Sequence, residues 1–149
     1  MVFLIRGQKR RYWAARLFFE HHSDFSGSWR WPNFDPQEFS CNHCGEFYYD
    51  PASFDAIQLV RDLLLRPVRL NSAHRCAIHN ARVGGAPLSQ HKKMAFDIDI
   101  TSFADRRDVL TACRQAGFTT FGFYQTFLHT DIRPRRIWYS GHVSRQLWK

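Results

Sequence analysis

The fold of this chain is decided by the stretch Ser72-Ala-His-Arg-Cys-Ala-Ile-His-Asn-Ala-Arg-Val-Gly-Gly-Ala-Pro-Leu-Ser-Gln-His-Lys-Lys-Met-Ala-Phe-Asp-Ile-Asp-Ile100. Its last six residues alternate strictly in character, which predicts a β-strand with two different faces. One face carries Ala95, Asp97 and Asp99, whereas the other carries only Phe and Ile. Two carboxylates on an otherwise apolar strand need a partner, because a buried charge is tolerated only when it is paired or bound to a metal.

The same stretch predicts a metal site together with a second segment, residues 127–131. The run Gly-Gly-Ala-Pro at 84–87 indicates a tight turn, which lets the chain fold back and place His91 beside the strand. The second segment supplies His129. Zinc in a hydrolase takes about three ligands from His, Asp, Glu or Cys and leaves a fourth position for water. We therefore interpret His91, Asp97 and His129 as ligands of a catalytic Zn²⁺.

The sequence resembles the zinc D-Ala-D-Ala carboxypeptidase family. That family also includes L-alanyl-D-glutamate endopeptidases and phage cell-wall lysins, and hedgehog signalling domains are distant relatives of similar fold. The resemblance runs from about Trp31 to Trp138. The matching positions are Arg75, His79-Asn-Ala-Arg-Val-Gly-Gly-Ala86, Ser89-Gln-His91, Ala95-Phe-Asp-Ile98 and Phe127-Leu-His-Thr-Asp131.

The resemblance implies that His91, Asp97 and His129 hold the zinc ion. It also implies that Arg75 binds or polarises a carbonyl or carboxylate group of the substrate.

Two departures from the family pattern bear on these assignments. The family's loop between the first histidine and the aspartate carries a glycine and is one residue longer, whereas this chain has Lys92-Lys-Met94. Alignment on the Ala-Phe-Asp-Ile run favours Asp97 as the ligand, and Asp99 on the same face is the alternative. The family also often has tyrosine before the arginine, where this chain has His74.

Two further residues have open roles near the predicted site. Asp131 lies two residues beyond His129, so both side chains share one strand face. Asp131 either orients a histidine ligand, which we favour, or acts as the general base. His74 either contacts the transition state or has a plain hydrogen-bonding role in the core.

The cysteines raise the question of a second metal. Cys41-Asn-His-Cys44 has the spacing of a zinc knuckle, and Cys76 and His79 offer two more donors, so a structural Cys3His site is one interpretation. The alternatives are free buried thiols, or a disulfide between Cys76 and one cysteine of the pair. We expect His43 to be solvated and Cys113 to lie in the core, on the apolar face of a helix.

Composition restricts the class of protein. The chain has 149 residues, of which 44% are hydrophobic and 16% aromatic, which is typical of one globular domain with a sizeable core. The formal net charge of +8 predicts an anionic partner such as a membrane surface or an acidic cell-wall polymer, or serves only solubility. No recognised motif accompanies that charge, so we expect no specific binding of nucleic acid.

The residues divide into two predicted parts. Residues 1–28 form a basic, aromatic segment, with a helix expected from Gln8 to His22. This segment either docks on a membrane, a polyanion or a partner protein, or packs on the domain. Residues 29–149 form the zinc peptidase domain.

Five further regular elements are indicated within that domain. They are a helix capped at Asp50 and running through Leu65, a strand at 68–72, a helix from Thr101 or Ser102 to Ala116, and paired strands at 118–124 and 125–132. We expect an α+β fold in a single domain, with a small, mainly antiparallel sheet flanked by helices and one catalytic zinc site.

The resemblance implies hydrolysis of peptide bonds in the stem peptides or cross-links of bacterial peptidoglycan, by a D,D-carboxypeptidase or endopeptidase. Val2–Ile5 is too short for a signal-peptide core, so we expect a phage or prophage lysin or a virion tail-associated enzyme that contacts tail proteins. Such a protein resides in the host cytoplasm before lysis, or in the virion tail, and acts on the wall in the periplasm. The alternative is a non-catalytic tail protein that retains the fold.

Overall fold

The structure, a computed structural model, describes residues 18–149 and contains two sheets in this range. The strands are β1 (Phe18–Phe19), β2 (Phe47–Tyr48), β3 (Leu70–Ser72), β4 (Phe96–Asp99), β5 (Thr120–Phe123), β6 (Phe127–Asp131) and β7 (Arg136–Tyr139). The larger sheet has the strand order β3-β4-β6-β5-β7, in which only β5 and β7 are parallel neighbours. The smaller sheet pairs β1 with β2 in antiparallel fashion.

Five α-helices accompany the two sheets in the described part of the chain. They are α1 (Pro36–Phe39), α2 (Pro51–Leu64), α3 (Ala77–Arg82), α4 (Phe103–Gln115) and α5 (Gly141–Leu147). No helix among the described residues is both long and apolar enough to cross a membrane. The predicted α+β fold, a small and mainly antiparallel sheet flanked by helices, is confirmed. Strands β2 and β7 and helices α1, α3 and α5 were not predicted.

Helix α2 begins and ends where the sequence indicates. Pro51 occupies the first turn, and the carboxylate of Asp50 accepts a hydrogen bond from the Ser53 hydroxyl. The helix ends at Leu65, which adopts a left-handed conformation with φ 56°. Its inner face buries Phe54, Ile57 and Val60 completely.

Helix α4 packs beside α2 against the same core. Its N-cap is Ser102, whose hydroxyl accepts a hydrogen bond from the backbone N–H of Asp105. Val109 and Cys113 are buried, which confirms the core position expected for this cysteine. Gly117 follows the helix with φ +100°, a conformation that favours glycine.

The two central strands of the large sheet separate apolar from polar side chains. Phe96, Ile98 and Leu128 are almost fully buried in the core that the helices cover. Asp97 and His129 alternate with them and therefore point to the opposite face. These two residues are direct partners in the β4–β6 register. The sheet thus carries its functional groups on the face that points away from the main core.

The predicted helix from Gln8 to His22 is wrong for its last five residues, and its remainder lies outside the described range. Phe18 and Phe19 form β1 instead. Pairing with β2 places the Phe19 ring 6.0 Å from that of Phe47, so tertiary contacts outweigh the local helical pattern. Docking by the amino-terminal segment stays a prediction.

The β1 contacts predict a difference between its two phenylalanines. Phe19 is half-buried against Phe25 and Phe47, so Phe19→Ala should lower the free energy of unfolding by about 2 kcal/mol. Phe18 is 50% exposed, and Phe18→Ala should cost at most about 1 kcal/mol. Urea unfolding of both variants at the same zinc concentration measures this difference. Equal losses would show that β1 is not anchored through Phe19.

Candidate metal centre

Asp97 and His129 face each other across the β4–β6 pair. Directly opposed residues of antiparallel strands have neighbouring side chains on the same face. Oδ1 of Asp97 lies 3.1 Å from Nδ1 of His129. Both residues are at most 6% exposed. The strand pairing alone therefore brings two candidate ligands together.

His91 reaches the same point from the loop before β4. It lies in a 3-10 turn at Gln90–Lys92, where its backbone N–H donates to the Ser89 hydroxyl. Its Nδ1 is 2.6 Å from the carbonyl oxygen of Ala73 and donates to it, which leaves the lone pair on Nε2. That Nε2 lies 3.1 Å from Asp97 Oδ1 and 3.2 Å from His129 Nδ1.

The three donor atoms fit a zinc ion in spacing and chemistry. Tetrahedral zinc with bonds of about 2.0–2.1 Å holds its ligand atoms about 3.3 Å apart, close to the separations found here. Nε2 of His129 donates to Asp131 Oδ2 at 2.8 Å, so its Nδ1, like Nε2 of His91, can present a lone pair. Lone pairs that converge on one point without a cation repel each other, and a divalent ion removes that repulsion.

The pKa shifts of Asp97 and His129 favour a positive charge between the three donor atoms. Burial opposes ionisation of Asp97, but its close contacts with the rings of His129 and His91 hold its pKa well below the usual range. Burial would lower the pKa of His129, yet its close contacts with the carboxylates of Asp131 and Asp97 raise it. A proton therefore competes with the metal for Nδ1 of His129.

Asp131 is positioned to orient His129. It is fully buried, and besides the His129 ring it contacts the guanidinium of Arg133 through both carboxylate oxygens at 2.8 Å. Burial alone would raise the pKa of Asp131, but the hydrogen bonds from His129 and Arg133 lower it to about 2. Since the carboxylate lies behind the ring and both oxygens are occupied, this geometry supports the orienting role rather than that of a general base.

Arg75 holds the other oxygen of Asp97. Its Nη2 donates to Asp97 Oδ2 at 3.2 Å, while Nε donates to the Ser72 hydroxyl and Nη1 to Asn80 Oδ1. The side chain is 15% exposed and lines the cleft. Arg75 thus fixes the aspartate ligand, and its expected contact with substrate stays a prediction.

Asn80, to which the sequence pattern assigned no role, connects the glycine turn to Arg75. Asn80 is 3% exposed, and its Nδ2 donates to the carbonyl of Ala86 at 2.9 Å. A Cβ on Gly85 would lie 2.1 Å from Asn80 Oδ1. Glycine is therefore required at residue 85 because the Asn80 amide occupies the space of a side chain. The buried asparagine could have been noticed as a polar residue next to a turn.

Two candidate residues lie away from the metal ligands. His74 is buried, with Nδ1 2.7 Å from the Lys93 carbonyl and Nε2 3.1 Å from Glu46 Oε1, and it does not line the cleft. This geometry favours the hydrogen-bonding role of His74 in the core, and its contact with the transition state stays a prediction. Asp99 lies near Arg69, outside the donor group, because two residues along a strand separate side chains by about 7 Å.

The donor atoms open onto a cleft of about 810 Å³. The loop 83–90 forms part of its wall, and Tyr124, Phe127 and Trp138 form another part. Among its lining residues Asp97 is the only carboxylate, whereas Arg75, Arg133 and Arg136 contribute positive charge. The metal ligands thus lie in a cationic cleft that is large enough for a peptide segment.

Comparison with known proteins identifies the family. The family model described as Peptidase M15 matches residues 32–132, which include all three candidate metal ligands. The chain belongs to this family. It is the M15 family of the zinc D-Ala-D-Ala carboxypeptidase type, so the resemblance found in the sequence is confirmed. No curated protein and no solved structure matches the chain significantly.

One row across the sheet of this M15 peptidase links the metal ligands to Trp138. Asp97, His129, Gly122 and Trp138 are successive partners across β4, β6, β5 and β7. A Cβ on Gly122 would lie 2.4 Å from the indole of Trp138. Because glycine leaves that space empty, the indole reaches the His129 ring, with 5.0 Å between the ring centroids. Its Nε1 donates to the Tyr124 hydroxyl.

The ligand assignment predicts which variants lose zinc. His91→Ala, His129→Ala and Asp97→Asn should each lose the zinc ion of the cleft and peptide hydrolysis, because each removes one of the three donors there. Asp99→Asn is the matched control on the same strand and should keep both. Metal analysis after gel filtration, with circular dichroism to check folding, measures the outcome. Full zinc content in Asp97→Asn combined with loss in Asp99→Asn would reverse the assignment.

The Gly122 contact predicts a steric coupling. Gly122→Ala should lower the free energy of unfolding by about 1–3 kcal/mol, because its Cβ overlaps the Trp138 indole. In a Trp138→Ala background the same substitution should cost much less. Urea unfolding of the wild type, the two single variants and the double variant gives the four free energies of unfolding of this double-mutant cycle. Additive losses would mean that the indole does not set the cost at Gly122.

Proposed function

We propose that the protein hydrolyses peptide bonds in the stem peptides or cross-links of bacterial peptidoglycan, with zinc bound by His91, Asp97 and His129. The observation that carries this proposal is the convergence of three lone-pair donors at an open cleft in an M15 peptidase. A purely structural zinc site is closed by four protein ligands, whereas three ligands beside a cleft leave a position for chemistry.

The residues around the ligands have distinct tasks in this reaction. The chemistry that zinc supplies when bound is polarisation of the scissile carbonyl and activation of water. Arg75 keeps Asp97 in its ligating orientation and presents positive charge to the cleft, where negative charge develops on the carbonyl oxygen. Asp131 keeps the proton of His129 on Nε2, so that Nδ1 is free to bind the metal.

The charge of the cleft supports an anionic substrate. Peptidoglycan stem peptides carry free carboxylates, and the cleft offers guanidinium groups from Arg75, Arg133 and Arg136. Arg75 and Arg133 are engaged by Asp97 and Asp131 respectively. Arg136 is exposed at the start of β7 and is the best placed to contact a substrate carboxylate.

The loop before β4, Lys92–Met94, is one residue shorter than the family's loop. This difference was the main sequence feature in favour of the alternative, a non-catalytic tail protein. Lys93 donates its N–H to the Gln90 carbonyl, and Met94 is completely buried in the core. With these contacts the loop still delivers His91 to within 3.2 Å of the other two donors. An intact ligand set favours catalysis over the alternative.

The finer assignments stay predictions. They are the choice between carboxypeptidase and endopeptidase, and the role as a phage or prophage lysin or a virion tail enzyme with tail proteins as partners. Residence in the host cytoplasm or the virion, and action in the periplasm, belong with them.

Digestion of purified peptidoglycan tests the proposed function. The zinc-loaded protein should release new muropeptides that mass spectrometry identifies, and the same products report which bond is cut. His129→Ala should release none, whereas Asp99→Asn should match the wild type. Inhibition by a chelator should be reversed by added zinc. A folded, zinc-loaded wild type that changes neither sacculi nor soluble muropeptides would contradict the proposal.

Arg136 should contribute to binding more than to chemistry. Arg136→Ala should raise KM for an anionic muropeptide about tenfold and change kcat little, since a charged hydrogen bond at the rim is lost. The matched control is Arg135→Ala, a neighbouring arginine outside the cleft lining, which should leave KM near the wild-type value. A fall in kcat at constant KM would assign Arg136 to the reaction itself.

A further inference from the structure

A second group of metal-binding side chains lies outside the cleft. The thiols of Cys41, Cys44 and Cys76 and the ring of His43 each offer one donor atom, and these four atoms lie within 4.8 Å of one another. We name this group the cysteine cluster. All three thiols are free, and their environments range from buried Cys41 to exposed Cys44. None of the four residues lines the cleft of the M15 site.

The first two cysteines lie in a tight turn with the geometry of a zinc knuckle. The N–H of Gly45 donates to the Cys41 carbonyl at 2.9 Å, and the N–H of Cys41 donates to the Glu46 carbonyl at 2.8 Å. Gly45 has φ +82°, which favours glycine at the residue after the second cysteine. The N–H of His43 points at Cys41 Sγ, 3.4 Å away. This Cys-x-x-Cys turn therefore directs a backbone N–H toward the sulfur of Cys41, a contact that favours a thiolate ligand.

Cys76 comes to this turn from the start of α3. The backbone N–H of His79 donates to its Sγ at 3.3 Å. Nδ1 of His43 lies 3.7 Å from the same sulfur. Tetrahedral zinc with Zn–S bonds of about 2.3 Å holds sulfur and nitrogen ligands about 3.5–3.8 Å apart. The Cys76–His43 separation already fits this requirement.

The fourth donor is His43 rather than His79, which corrects the interpretation of the sequence. The His79 ring stacks parallel to the His43 ring, with 5.9 Å between centroids, and offers no atom to the group of four. His43 was expected to be only a solvated side chain. It is exposed, yet the turn between the two cysteines directs its Nδ1 toward Cys76.

Charge around the cluster also suits a metal. Three thiolates, a neutral histidine and Zn²⁺ together carry a net charge of about −1, and Arg82 lies beside them with Nη1 3.1 Å from Nε2 of His43. When Nδ1 binds a metal, the proton of the ring resides on Nε2. Metal binding through Nδ1 therefore requires Arg82 to give up its contact with Nε2.

We propose that the cysteine cluster binds a second zinc ion, which is structural and separate from the zinc of the cleft. Thiolates are soft ligands and select zinc over harder divalent cations. Four protein donors fill the tetrahedral sphere and leave no position for a substrate. The proposal does not depend on peptidase activity.

The position of the cluster gives this zinc a mechanical role. The turn at 41–45 follows α1, whereas Cys76 follows Arg75, the residue that holds Asp97. A metal bond between them fixes the start of α3 against the turn. The second zinc would therefore help to position Arg75 without touching the substrate.

Zinc counting on the full-length protein, purified under anaerobic reducing conditions, tests the proposal. The wild type should contain about two zinc ions per chain, and Asp97→Asn and Cys44→Ser should each contain about one. The double variant should contain none. Cys44 is exposed, so its replacement by serine leaves the core unchanged.

Cobalt substitution identifies the ligands independently. Asp97→Asn loaded with Co²⁺ should show the strong visible bands of a tetrahedral site together with a thiolate-to-cobalt charge-transfer band in the near ultraviolet. His43→Ala should weaken these bands, whereas His79→Ala should keep them. Cys113→Ala is the control for a buried thiol outside the cluster. This measurement decides the question even if Cys44→Ser fails to fold.

Three results would overturn the proposal. One is a wild type with a single zinc ion that disappears entirely in Asp97→Asn. Another is an unchanged zinc content of two in Cys44→Ser. The third is a disulfide between two cluster cysteines in the anaerobically purified protein, detected by peptide mass spectrometry. Zinc content, cobalt spectra and peptide mass spectrometry do not depend on hydrolysis of peptidoglycan. The proposed second zinc site and the proposed peptidase function are therefore tested independently.

Discussion

The pairing of β4 with β6 is the constraint on which the functional site depends. It places Asp97 opposite His129, so that the backbone hydrogen bonds of the sheet hold two ligands in register. A shift of β4 by one residue would turn Asp97 into the apolar core and expose Phe96 in its place. The burial of that core therefore fixes the metal ligands as strongly as any contact between the ligands themselves.

Each candidate ligand is oriented by a hydrogen bond to a different part of the chain. Asp131 contacts His129, Arg75 contacts Asp97, and the carbonyl of Ala73 accepts a hydrogen bond from His91. These contacts select the tautomer of each ring and the orientation of the carboxylate before a metal arrives. The site is thus preorganised, and little conformational entropy has to be lost on binding.

Four consecutive residues, 73–76, contact both groups of candidate metal ligands. The carbonyl of Ala73 accepts a hydrogen bond from the His91 ring, and the N–H of Arg75 donates to the His91 carbonyl. The ring of His74 lies between the Lys93 carbonyl and the Glu46 carboxylate. The Arg75 side chain reaches Asp97, and the next residue belongs to the cysteine cluster. This short segment therefore contacts the loop before β4, the sheet and the turn that carries Cys41 and Cys44.

The sequence by itself determined the fold class, the family and the chemistry of the ligands. Strict alternation at 95–100 and the capping residues of α2 and α4 are local signals, and local signals are readable without neighbours. Only the tertiary structure shows that Asp97 rather than Asp99 lies with the two histidines, that His74 lies outside the cleft lining, and that His43 rather than His79 lies with the three cysteines. These choices depend on distances between segments far apart in sequence, as do the Gly122–Trp138 contact and the strand at Phe18–Phe19. No local pattern encodes such distances, because they follow from register and packing.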